Sequence, residues 1–199
     1  ANVTVVTHEA AFEDGLDAIA GLPSSASGHE RSLVVFLGSN IGNYDPPGAS
    51  ALIHGIRSQL SAGDGLLLGT DLVKPERELL LAYDDPLGVT AAFNLNLLVR
   101  ANRELGADFD LAQFAHRAIW NAEASRVEMH LVSPREQRVR VPASGLEVVF
   151  GAGETIWTES SYKYDPPGIV AMGRETGWAM HQQWVDEEAA FALTLFCAD

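Results

Sequence analysis

The chain has 199 residues, 47% of them hydrophobic and 20% charged, the composition of a folded protein rather than a disordered one. Thirteen basic residues against 27 acidic ones leave a net charge of −14, which argues against a nucleic-acid partner and against an anionic membrane surface. The single cysteine, Cys197, excludes an internal disulfide framework and a four-cysteine zinc site. The longest apolar runs are too short to span a bilayer, and residues 1–11 lack the basic start and apolar core of a secretion signal. A soluble, acidic, cytoplasmic protein is expected.

Val3 to Thr7 is a β-branched run that predicts a short strand, and Phe12 to Ile19 fits one amphipathic helical face. Leu22 to Arg31 is loop, rich in Ser, Gly and Pro. Leu33-Val34-Val35-Phe36-Leu37 is continuous and apolar, the pattern of a parallel strand buried on both faces. After a loop from Gly38 to Gly48, Asp45-Pro46-Pro47 predicts a capped helix to about Leu60. Gly65 to Gly69 reads as a second buried strand, so strand, helix and strand form a parallel unit. Pro75 to Tyr83 and Leu87 to Leu105 predict helices, the second with Phe93, Leu97 and Leu98 on its apolar side. Phe109 to Phe114 is a short helix or turn.

From Arg126 the period shifts toward two. Val127 to Val132, Arg138 to Val141 and Leu146 to Phe150 predict antiparallel strands. Thr155 to Tyr164 continues in extended or loop form. Pro166 or Pro167 opens a helix to about Thr176, and Met180 to Val185 with Phe191 to Cys197 close the chain as two antiparallel strands. Tyr-Asp-Pro-Pro-Gly occurs at 44–48 and again at 164–168; the flanking sequences differ, which favours two independent helix starts over an internal repeat.

The loop Gly38-Ser39-Asn40-Ile41-Gly42-Asn43 directly follows a strand, where open α/β sheets bind ligands; it reads equally as a tight turn that needs glycine. Ser39 could be a nucleophile there, but the segment is not Gly-x-Ser-x-Gly and no histidine is tied to it by spacing. The six histidines show no metal-ligand spacing. Glu159 and Ser161 share a strand face and could grip a polar ring or a cation, or form a solvated surface. Met129 alternates with Val127 and Leu131, a core pattern.

Several segments in order carry a resemblance. Leu33 to Asn43, Leu66 to Lys74, Ala82-Tyr83-Asp84-Asp85 with Gly88 to Asn94, Trp120-Asn121, Arg126 to Met129 and Thr158-Glu159 together resemble the histidine-specific Nα-methyltransferases of ergothioneine biosynthesis. Those enzymes use S-adenosylmethionine to convert histidine to trimethylhistidine (hercynine). The resemblance implies a Rossmann-like α/β methyltransferase sheet, of which this chain is the later half, with an inserted α+β substrate-binding domain. It places residues 1–73 in the methyltransferase core, 74–163 in the insertion, and 164–199 in the closing helix and strands of the core.

By the same resemblance, Gly38 and Asn43 lie beside the substrate's amino-acid end, and Tyr83 also holds that end. Met129 lines the side-chain pocket. Glu159 and Ser161 recognise the imidazole, which fits their chemistry as an acceptor and a hydroxyl. Phe12 would stack on the cofactor's adenine; the family's Asp-Phe pair stands here as Ala11-Phe12. The family's Gly-rich cofactor loop has no counterpart in the sequence, so a preceding segment or a second chain is expected to complete the cofactor site. The other classes consistent with the residues are a non-catalytic amino-acid-binding module and a hydrolase acting through Ser39.

Overall fold

The computed structural model describes Val5, residues 7–10, Gly15 and residues 31–199. The strand expected at 3–7, the helix at 12–19 and Phe12 itself lie outside the described residues, apart from isolated positions. The chain divides into two compact units, one of Ala1–Leu72 with Tyr164–Asp199 and one of Val73–Lys163.

In the first unit, β1 (Leu33–Phe36) and β2 (Gly65–Asp71) pair in parallel, joined through α1 (Pro46–Ser58). β8 (Trp178–Asp186) and β9 (Phe191–Ala198) pair antiparallel, and the sheet order is β1-β2-β9-β8. α4 (Pro166–Glu175) precedes β8. Each Tyr-Asp-Pro-Pro-Gly segment starts a helix in the same way: Asp45 accepts the Gly48 N–H at 2.8 Å and Asp165 the Gly168 N–H at 2.9 Å. Proline in the first turn forfeits no hydrogen bond there.

Leu52, Ile53 and Ile56 of α1 and Ile169 of α4 pack with Phe36, Leu66, Leu68 and Phe196 in one core. Helix and sheet meet closely at Gly173, where a Cβ would stand 2.2 Å from the Phe196 ring. Among the described residues, no helix covers the other sheet face. Leu33 is 56% exposed and Val35 52%, so β1 is buried on one face only, contrary to the expectation from its apolar run. A parallel strand shows that pattern when a layer covers each side; among the described residues, both helices of this unit lie on one side.

The second unit begins with α2 (Glu76–Tyr83) and α3 (Val89–Leu105). Asp85 starts α3 by accepting the Thr90 and Val89 N–H groups, which hold its carboxyl down at about 2. β3 (Ala115–Asn121), β4 (Arg126–Val132) and β7 (Thr155–Tyr162) form an antiparallel sheet with β4 central. β5 (Gln137–Val141) and β6 (Leu146–Phe150) form a separate hairpin. Leu98, Phe114, Leu131, Val139 and Phe150 make this unit's core, with Phe114 and Phe150 edge to face at 5.4 Å. The apolar side expected for α3 is corrected: Phe93 and Leu97 are exposed, and Asn94 and Leu98 are the buried pair. Asn94 faces inward because its amide reaches two acceptors on the sheet, described below.

Candidate functional site

The loop after β1 is shaped by its own hydrogen bonds. Gly38 has φ +73°, a conformation open to glycine at no cost. Ser39 follows at φ +56°, uncommon for a residue with a Cβ, and its Oγ accepts the Asp71 N–H at 2.9 Å from the end of β2. Among the described residues no histidine hydrogen-bonds to Ser39, and its oxygen ties the loop to β2. Asn40 to Asn43 then form a single 3-10 turn with Ile41 fully buried beneath it and Asn43 exposed on it. Tyr164 Oη donates to the Ile41 carbonyl at 3.2 Å and holds the turn from below.

In the second unit, the β4–β7 ladder pairs Met129 with Glu159 and Val127 with Ser161, so these four share one face. Immediately upstream the register jumps. His130 pairs with Trp157, and Thr158 is left over as a bulge whose hydroxyl donates to the Met129 carbonyl at 2.9 Å. The extra residue reverses the alternation, so Trp157 lies on the opposite face from Glu159. Met129 is buried, Glu159 is partly buried, and burial pushes the Glu159 carboxyl above its ordinary value.

Tyr83, from the last turn of α2, reaches the same face. Its hydroxyl donates to Ser161 Oγ at 2.7 Å. Lys163, 4% exposed, donates from Nζ to Tyr83 Oη at 2.7 Å and to Ser161 Oγ at 2.9 Å, with the ammonium 4.7 Å from the Tyr83 ring centre. Tyr83 is itself placed by its backbone. His116 Nε2–H donates to the Tyr83 carbonyl at 2.8 Å, and His116 Nδ1 accepts from Asn94 Nδ2 at 3.0 Å. With the Asn94 amide turned this way, Nε2 is the ring's donating nitrogen. Asn94 Nδ2 also donates to the His130 carbonyl at 3.3 Å, while its Oδ1 is buried without a partner.

The structure therefore brings Tyr83, Ser161, Glu159 and Met129 onto one sheet face of the second unit. Gly38 and Asn43 belong to the loop of the first. Lys163, His116 and Asn94 are supporting residues that the sequence reading missed. Lys163 had a usable signal: it stands two residues beyond Ser161 and so keeps the parity of Glu159 and Ser161.

The opposite face of the same sheet holds a closed ionic cluster. Arg126 donates to Glu128 at 2.8 Å and to Tyr162 Oη at 2.8 Å, with its guanidinium 4.4 Å from the Trp157 ring centre. Burial alone would raise the Glu128 carboxyl; hydrogen bonds from Asn121, Arg126 and His130 outweigh it and hold the group below its ordinary value. Both oxygens of Glu128 are thus engaged within the protein, which makes the cluster a support for the sheet. Among the described residues no group of three or more His, Cys, Asp or Glu is gathered as for a metal ion, and no helix is long and apolar enough to cross a membrane.

The family model for histidine-specific, S-adenosylmethionine-dependent methyltransferases matches residues 1–198, and the chain belongs to that family. It is 50% identical over 165 residues to a histidine N-alpha-methyltransferase of Mycolicibacterium smegmatis, covering 83% of this chain and 51% of that protein. Against the histidine N-alpha-methyltransferase of Mycobacterium tuberculosis the identity is 47% over the same shares. Ergothioneine biosynthesis protein 1 of Schizosaccharomyces pombe is 28% identical over 68% of this chain and 17% of its own length. The chain thus spans about half the length of the two bacterial relatives.

Proposed function

We propose that this chain is the substrate-recognising part of an enzyme that methylates the α-amine of L-histidine to give hercynine, a step of ergothioneine biosynthesis in the cytoplasm. The observation that carries the reading is the shared face of Glu159 and Ser161 over buried Met129: a carboxylate and a hydroxyl above an apolar floor suit a flat ring with polar nitrogens. A pocket for an all-carbon ring would need neither group. Glu159 accepts the ring N–H, and Ser161 meets the other ring nitrogen. The Tyr83 hydroxyl stands beside Ser161 on the same face. Residues 73–163 then serve as the recognition insertion, and 1–72 with 164–199 as the methyltransferase core.

The methyl donor of the family is S-adenosylmethionine, which brings an already activated methyl group. The described residues do not fit its cradle. The loop after β1 is filled by Ile41 and tied by Ser39, and Phe12 lies outside the described residues. We place the donor's site in sequence that precedes the described residues or in a second chain. What this chain contributes is aim: it fixes the ring so that a neutral amine, whose reference pKa is about 7.7–8.0, is presented for attack.

The test uses the full-length protein. Incubated with L-histidine and S-adenosylmethionine, it should yield trimethylhistidine by mass spectrometry. Glu159→Ala should weaken histidine binding by at least about tenfold, the loss of one charge-assisted hydrogen bond, while Arg103→Ala on the exposed side of α3 should leave it unchanged. No methylated histidine, or equal affinities for the two variants, would sink the reading.

A further inference from the structure

We infer that Lys163 is a positioning residue that fixes Ser161 as a hydrogen-bond donor, so that the site selects a ring bearing both an N–H and a bare nitrogen lone pair. The inference rests on the reading of this face as the imidazole site and adds a specificity-determining residue to it.

The argument is a count of lone pairs. A serine hydroxyl carries one proton and two acceptor positions. Ser161 Oγ accepts from Tyr83 Oη at 2.7 Å and from Lys163 Nζ at 2.9 Å, so both acceptor positions are used inside the protein. Its proton is what remains to offer a ligand. A phenol is a stronger donor than an aliphatic hydroxyl, and the Lys163 ammonium 2.7 Å from its oxygen strengthens it further, so the proton shared between the two hydroxyls is the one Tyr83 gives to Ser161. Lys163 has only donors and is buried, so it cannot exchange roles with either hydroxyl. Without the ammonium, one acceptor position of Ser161 stands open, and the hydroxyl can meet a ligand as donor or as acceptor.

Glu159, on the same strand face, offers the opposite character as a carboxylate, an acceptor only. A ligand ring must then give a proton to one side and take one from the other. Neutral imidazole does this in a single orientation. Imidazolium would point a second N–H at the Ser161 proton and its buried ammonium. A pyrrole would leave the Ser161 proton facing C–H.

The experiment measures binding of L-histidine and of the two pyrrolyl-alanines to the full-length protein by calorimetry. Each pyrrolyl-alanine keeps one N–H and replaces the other ring nitrogen with C–H. The wild type should prefer histidine. Lys163→Met, which leaves Tyr83 and Ser161 still paired with each other, should cut that preference roughly tenfold. It should raise the KM for histidine by a similar factor with kcat at saturation unchanged, a split that loss of packing alone does not give. Ser161→Ala should cut the preference equally, and adding Lys163→Met to it should cut no further. Tyr83→Phe, which frees one Ser161 acceptor position and leaves the lysine in place, gives a second arm should Lys163→Met fail to fold; it should lower the preference as well. An unchanged preference in Lys163→Met, or in Tyr83→Phe where only that variant folds, overturns the inference. If Glu159→Gln leaves histidine affinity untouched, the imidazole reading fails first; if Glu159→Gln weakens histidine while the lysine variant keeps the full preference, only the role of Lys163 fails.

Discussion

A carboxylate held partly out of water is a cost to the empty protein, and Glu159 carries that cost. Burial raises its carboxyl, so the charged form is disfavoured in the folded state. For an acid raised on folding, the penalty is complete above the raised value and disappears as the pH falls below the ordinary 4.5. Glu159→Gln should therefore raise the thermal midpoint of the ligand-free protein at pH 7, and this gain should vanish toward pH 4. A scan showing the variant less stable at neutral pH would contradict the account. The pair Glu159 and Ser161 was legible in the sequence because strand alternation sets two residues on one face without help from the rest of the chain. The parity of Lys163 with Ser161 could be read, but its role and that of His116 could not: both depend on Tyr83, which lies 80 positions before Lys163 and 33 before His116. No local pattern encodes that meeting.

At the scale of elements, the helices with strong start signals were the most legible. Asp45 and Asp165 with their prolines mark the starts of α1 and α4 in the sequence as plainly as in the structure. β3 was missed because Ala115, His116, Arg117 and Ala118 give no apolar alternation; the place of His116 is set by Tyr83 of α2 and Asn94 of α3. The exposure of β1 was missed for a different reason. Its sequence is written for cover on both sides, and an apolar run cannot say which neighbours supply the cover. The contact of α4 with β9 offers a sharp test of packing. Gly173→Ala would press a methyl group into the Phe196 ring, and should cost about 1–3 kcal/mol. Shortening the ring in the double variant with Phe196→Leu should recover part of that loss. Equal stability of Gly173→Ala and wild type in denaturant titration would show that α4 shifts freely.

Over the whole molecule, each unit has a core of its own, one around Ile53 and Phe196 and one around Leu131 and Phe150. Leu131→Ala, which empties a fully buried position, should cost about 2–5 kcal/mol. Its effect on amide hydrogen exchange should be largest within 73–163, the unit that owns the core. Uniform acceleration across the chain would show one cooperative core instead. The division between the units has a further consequence at its seam. Leu72 and Tyr164 are bridged side by side, and the Tyr164 N–H donates to the Asp71 carbonyl at 3.0 Å. The chain departs from the first unit and returns to it through the same doorway. To that unit, the whole of 73–163 is a long crossover loop whose two ends run parallel and are already bridged. Such a loop can be excised and the stumps joined by a short linker, or exchanged for the loop of a relative with another ring preference, without cutting a rung of the β2–β9 ladder.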